Sequence, residues 1–181
     1  MGIIKKIRMF FKFLNYTSEQ DMRDFAVGFN SFINKEQDLH IIMLDYDIKD
    51  LNFVKADASE ITEHFKLSDF EIYKTQNGYH CFWFYDFYPY SKLRLLIEFS
   101  RCDNQFKYIS RFYDHKTIRV AGKYKNLDIK FIGKFAGIRK ATPYQMEIGN
   151  LKREEYVRLK SLHKSLNKNN LKDNTNETTK N

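Results

Sequence analysis

Cysteine is nearly absent from this chain of 181 residues: Cys81 and Cys102 are the only two. They form no Cys-x-x-Cys pair and no zinc-ligand spacing, which excludes a disulfide framework and a zinc knuckle and points to reduced thiols in the cytoplasm. Glycine is sparse too, with seven copies, and no Gly-rich phosphate loop and no Gly-x-Gly-x-x-Gly occur; a dinucleotide fold of the usual kind is excluded on that ground. No apolar run approaches the ~18 residues of a membrane span. The start, Met1 to Phe11, is basic and apolar with Lys and Arg interrupting it. It makes a poor signal peptide, and docking on the domain is expected instead of membrane attachment. No internal repeat is visible.

Aromatic residues, by contrast, are abundant, with 17 Phe and 12 Tyr. At 43% hydrophobic content the chain can build one core without staples. Most of the aromatic rings belong in that core, and some are available as stacking platforms for bases. The formal net charge is +8, a balance suited to phosphate-bearing partners. Residues 151–181 hold eight Lys/Arg against four Asp/Glu, so half of the excess belongs to the C-terminal stretch.

One stretch organises the rest: His40-Ile41-Ile42-Met43-Leu44-Asp45-Tyr46-Asp47. Four consecutive apolar residues read as a buried strand. Residues i and i+2 of a strand share a face, so Asp45 and Asp47 point the same way, with Cα atoms roughly 6–7 Å apart. Two carboxylates so placed are either solvated surface acids or ligands of a hard divalent cation.

Around that strand the pattern predicts a helix over 18–34, from Phe25, Phe29, Phe32 and Ile33. A loop follows over 50–55 and a helix over 56–66, with His64 on the surface. Residues 70–75 and 79–85 read as a hairpin turning at Gln76-Asn77-Gly78, Asn-Gly being a strong hairpin signal. Helices are expected over 89–100, with Leu93, Leu96 and Ile97 inward, and over 104–112, capped by Asp103. Strands are expected at 117–121 and 128–132. Residues 3–14 fit a short helix or a strand. Apolar Leu151, Val157, Leu159 and Leu162 predict a helix over 151–166. The polar tail 167–181 is expected to be disordered. Residues 1–166 then form one domain of the α+β class, with an antiparallel or mixed sheet covered by helices.

Several polar groups fall at strand ends. His80 lies one residue into the return strand, on the side of Phe82 and Phe84 and opposite Trp83. Arg119 alternates with Ile118 and Val120 and so leaves the core face; Lys123 follows Gly122. Two acids, a histidine, an arginine and a lysine suit a metal-bound triphosphate. His80 has a plain reading as a core histidine, Asp103 as a helix N-cap, and Arg119, Lys123 and Lys74 as solvated charges.

Taken together these residues resemble the archaeo-eukaryotic primase superfamily over roughly residues 38–135. Met43-Leu44-Asp45-Tyr46-Asp47 is similar to its first motif. Lys74-Thr75-Gln76-Asn77-Gly78-Tyr79-His80 is similar to the second, a Ser/Thr, a Gly and a His across a hairpin. A third acid is assigned to Asp103, with Asp114 and Asp128 as rivals. Ile118 to Lys123 is similar to basic segments of phage and plasmid members. The chain departs from the family in lacking a zinc-binding stem, a helicase domain and a Pro-Pro-Ser after the third motif, which puts autonomous priming in doubt.

The resemblance implies an RNA-recognition-like (RRM-like) catalytic sheet and a metal-dependent nucleotidyltransferase, a primase or DNA polymerase acting in replication of a virus, plasmid or other mobile element. It implies two Mg²⁺ or Mn²⁺ ions held by Asp45, Asp47 and Asp103. It implies a nucleotide held by Thr75, Gly78, His80, Arg119 and Lys123. The partners are a single-stranded DNA template and nucleoside triphosphates, with a helicase or other replication protein besides. His80 and Arg119 converge on the metal side if their strands share a sheet with the Asp-x-Asp strand. The alternatives are a primase-like replication initiator or single-strand binding module with little catalysis, a metal-dependent nuclease, and an Asp-x-Asp glycosyltransferase. The lack of a doubly wound pattern counts against the last.

Overall fold

The apolar run Ile41–Leu44 is fully buried, and the architecture follows from what covers it. The computed structural model describes residues 27–121 and 129–159. The expectations at 3–14, 18–26, 160–166 and 167–181 lie outside the described residues, as do Lys123 and Asp128. In chain order the elements are β1 (Val27–Asn30), β2 (Phe32–Asn34), β3 (Leu39–Tyr46), α1 (Leu51–Phe65), β4 (Phe70–Lys74), β5 (Tyr79–Tyr88), α2 (Tyr90–Phe99), α3 (Asn104–Ile109), β6 (Thr117–Ala121), β7 (Lys130–Phe135) and a helix α4 over 143–159. Five strands form an antiparallel sheet in the order β2-β3-β5-β4-β7, and β1 and β6 pair antiparallel in a second, two-stranded sheet. This is an α+β fold with helices against an antiparallel sheet.

Alternation along β5 separates two faces. Cys81 and Trp83 turn toward α1, where the Trp83 indole N–H donates to Thr62 Oγ1 at 2.8 Å. Trp83 is fully buried there, as its position opposite His80 predicts. Phe82 and Phe84 turn the other way and stack on each other with centroids 4.9 Å apart. Phe29 of β1, Tyr73 of β4 and Tyr156 of α4 close over them, all within 6.5 Å centroid to centroid of at least one of the pair. Leu93, Leu96 and Ile97 of α2 are buried as expected. Three buried acids tie elements together. Asp57 accepts from the Tyr46 hydroxyl and the Arg101 N–H, both at 2.8 Å; Asp86 holds Ser68 and Arg139; Glu71 holds Arg153 and the Tyr73 hydroxyl.

Residues 27–34 are strand, which corrects the predicted helix. Ser31 explains the misreading. Its N–H donates to Lys116 O at 2.8 Å and its carbonyl accepts from Ile41 N–H at 2.9 Å, so the chain leaves one sheet and enters the other at this residue. The inward side changes phase there, and Phe29, Phe32 and Ile33 take on a helix-like spacing. The expected loop at 50–55 is also corrected. Helix α1 begins at Leu51, because Asp50 caps it by accepting from the Asn52 and Phe53 N–H groups. Helix α3 ends at Ile109, short of 112, and the strand expected at 128–132 pairs as β7 over Lys130–Phe135. Helix α4 starts near 143, well before 151, and its fully buried residue is Tyr156; Leu151 and Val157 are exposed. Among the described residues no helix is long and apolar enough to cross a membrane.

Candidate functional site at the end of β3

β3 pairs with β5 along its length, with Asp45 opposite His80. Its other edge is covered by β2 only at Leu39 and His40. Farther along, the Asp103 N–H takes that edge, donating to Asp45 O at 2.9 Å. The loop between α2 and α3 is thereby fastened to the strand end, and Asp103 caps α3 by accepting from Phe106 N–H at 2.8 Å. Three acids thus gather: Asp45, a third exposed, Asp47, fully outside the sheet, and Asp103. Burial, then the charges of Asp47 and Asp103, push the Asp45 carboxyl up to about 7, while Arg119 and Lys116 pull it back. Of the rivals for third acid, Asp114 lies elsewhere: it is exposed, bonded to His115, and its charge acts on His40 and Tyr90.

The site histidine is pinned from behind. His80 Nδ1 lies 2.9 Å from the Tyr156 hydroxyl, and Nε2 faces Asp45 Oδ1 at 3.6 Å, too long for a hydrogen bond. Burial lowers the ring to about 3, so the imidazole is neutral and offers a hydrogen bond but no charge. Tyr156 is a residue the sequence reading missed; a lone tyrosine in a helical stretch carries no signal of its own. Tyr156→Phe leaves buried His80 Nδ1 without its partner. It is expected to lower stability by about 1–3 kcal/mol in urea unfolding, and an unchanged midpoint would show that the ring is held by packing alone.

Positive charge comes from two other residues. Arg119 stands exposed on β6, as alternation predicts. The strands do not share one sheet, however: among the described residues β6 pairs with β1, and Arg119 acts on Asp45 through its charge, from the small sheet. Lys116, also missed, is buried. Its ammonium donates to Phe106 O at 2.6 Å and sits 3.8 Å from the Phe106 ring centroid. Burial brings it down to about 8, opposed by Cys102, Asp45 and Asp103. Nothing in the sequence distinguishes it from a solvated lysine before a strand.

The hairpin turn packs against the backbone just past Asp45, but Thr75 and Gly78 line a separate cleft with Lys49 and Lys74 and not the one beside the acids. Thr75 N–H donates to Gly78 O at 2.8 Å, and Gly78 N–H to Thr75 Oγ at 3.0 Å. Gly78 does not take a left-handed conformation. It is required by contact, since a Cβ there would lie 1.7 Å from Tyr46 O. A cleft of about 220 Å³ opens beside the acids, lined by Asp47, Phe53, Arg101 and Asp103 among others. Lys74 is exposed.

Among the described residues no three His, Cys, Asp or Glu side chains form a ready-made cage for a metal. The donor set nevertheless suits a hard cation that keeps water and substrate oxygens in its shell and takes one or two carboxylates from the protein. Comparison with family models, curated proteins and solved structures found no match.

Proposed function

We infer that the chain is a metal-dependent nucleotidyltransferase of the primase-polymerase kind. The observation that carries this is the convergence of Asp45, Asp47 and Asp103 at one strand end, where burial and then the charges of the other two acids raise Asp45, an arrangement that a divalent cation would relieve. Mg²⁺ or Mn²⁺ held there supplies activation of an attacking hydroxyl and stabilisation of an in-line displacement at phosphorus. Asp45 on β3 and Asp47 just past its end are the ligands, with Asp103 closing from the α2–α3 loop. Arg119 neutralises phosphate oxygens, Lys123 extends that set, and buried Lys116 adds its charge without touching the substrate. Neutral His80 donates toward the triphosphate or holds Asp45 in place, and Thr75 and Gly78 shape the turn. The substrates are nucleoside triphosphates and a single-stranded DNA template. The setting is DNA replication in the cytoplasm, of a mobile element, alongside a helicase or other replication protein.

Titration calorimetry with a nucleoside triphosphate tests this. Binding should require Mg²⁺ or Mn²⁺ and vanish in Asp45→Ala and Asp47→Ala, while circular dichroism stays native. Arg119→Ala should weaken triphosphate about ten- to a hundredfold, and monophosphate less. Metal-independent binding of equal strength in Asp45→Ala overturns the assignment.

A further inference from the structure

Helix α3 and the turn after it carry an aromatic surface that none of the other described residues covers. Phe106 turns inward, but Tyr108 is 60% exposed and Phe112 65%. Their rings meet edge to face at 4.9 Å, which leaves ring faces open. Beside them the charges of Arg111, Lys107 and Arg94 act together on the single carboxylate of Glu98. Arg111 grips it through Nε at 2.8 Å and Nη2 at 3.1 Å, and Lys107 Nζ donates to Glu98 O at 3.3 Å. Three cations meet one anion at Glu98, and even with Asp114 at the far end of the turn positive charge is in excess beside the rings. A second copy docked by two-fold symmetry would bring like charges together, so the patch is poorly suited to self-association. An extended polyanion with flat apolar rings complements both features.

We propose that this face binds single-stranded nucleic acid, with bases stacking on Tyr108 and Phe112 and phosphates following Arg94, Lys107 and Arg111. Because α3 is capped by Asp103, Tyr108 lies about 8 Å along the helix from the acid cluster at 1.5 Å per residue. The surface therefore gives the template a path to the metal side. That destination rests on the nucleotidyltransferase reading; the binding itself does not.

The test is fluorescence anisotropy of the full chain with labelled oligo-dT of about 20 nucleotides, over a range of salt. Replacing Tyr108→Ala and Phe112→Ala should weaken binding about five- to a hundredfold per ring, with the melting temperature kept, since both rings are exposed. Arg94→Gln with Arg111→Gln should flatten the salt dependence. Metal-dependent triphosphate binding, measured in parallel, should be unchanged in every variant. Oligonucleotide binding that is absent in the wild type, or equal in the double-ring variant, overturns the surface and leaves the acid site standing. So does a wild-type dimer that the ring substitutions dissolve without touching oligonucleotide binding. Ring-dependent oligonucleotide binding without any triphosphate binding supports the surface and removes the nucleotidyltransferase reading.

Discussion

Gly78→Ala is expected to lower stability by about 1–3 kcal/mol and to displace the strand end that carries Asp45 and Asp47. A methyl at this position would meet Tyr46 O at 1.7 Å, Tyr46 C at 2.8 Å and Ile48 N at 3.0 Å. All three are backbone atoms, so no rotamer change makes room. Conformational strain adds nothing, because the Gly78 φ is one that alanine adopts. Two routes remain: the hairpin turn backs away from β3, or residues 46–48 shift. Either one loosens the acids from the turn. Substitution of the exposed neighbours Gln76 and Asn77 by alanine should be close to neutral. Urea unfolding checks both halves, and a wild-type midpoint for Gly78→Ala would place the turn farther from β3 than described.

The second large effect has an unusual sign. Asp45→Asn is expected to stabilise the metal-free protein at pH 8. Burial and two like charges raise this carboxyl in the folded state from 3.8 to about 7. Between those values the folded chain binds more protons than the unfolded one, so stability falls as pH rises from about 4 to 7. Above about 7 the full destabilisation is present; below about 4 it is gone. The group is a third exposed, and after allowing for solvent screening about 1–2 kcal/mol remains. Asn, of the same shape and without charge, removes it. Mn²⁺ or Mg²⁺ should restore stability to the wild type at pH 8 and do less for Asp45→Asn, which keeps only part of the ligand set. Thermal melts at pH 4 and pH 8, with and without metal, measure all of these terms. A variant less stable than wild type at pH 8 without metal contradicts the crowding of charge at this strand end.

The parts of the fold that were legible are those in which a single local rule holds. The apolar run 41–44 became the central strand, the hairpin formed around Gln76-Asn77-Gly78, and Leu93, Leu96 and Ile97 marked the inner side of α2. Where two rules compete, the sequence misleads. At Ser31 the chain passes from one sheet to another, and a strand's period of two takes on a helical look. At Asp50 the capping side chain was present, yet weak amphipathicity in the first turn of α1 hid the helix start. Two of the acids at the site were visible because they stand two residues apart at one strand end, Asp45 within β3 and Asp47 just past it, where the expected strand had run through both. Lys116 and Tyr156 were not, because their roles arise only in the folded packing: Lys116, just before β6, is buried against Phe106 of α3, and Tyr156 of α4 against His80, 76 positions away.

Whether the three acids serve nucleotide transfer is decided by incubating the purified chain with a single-stranded template, labelled nucleotides and Mn²⁺ or Mg²⁺. Template-dependent products are expected that require the metal and disappear in Asp45→Asn and Asp47→Asn. Template and nucleotide bound with no product in either metal would contradict that role and favour a binding module; cleavage of the template would instead point to a nuclease built on the same carboxylates.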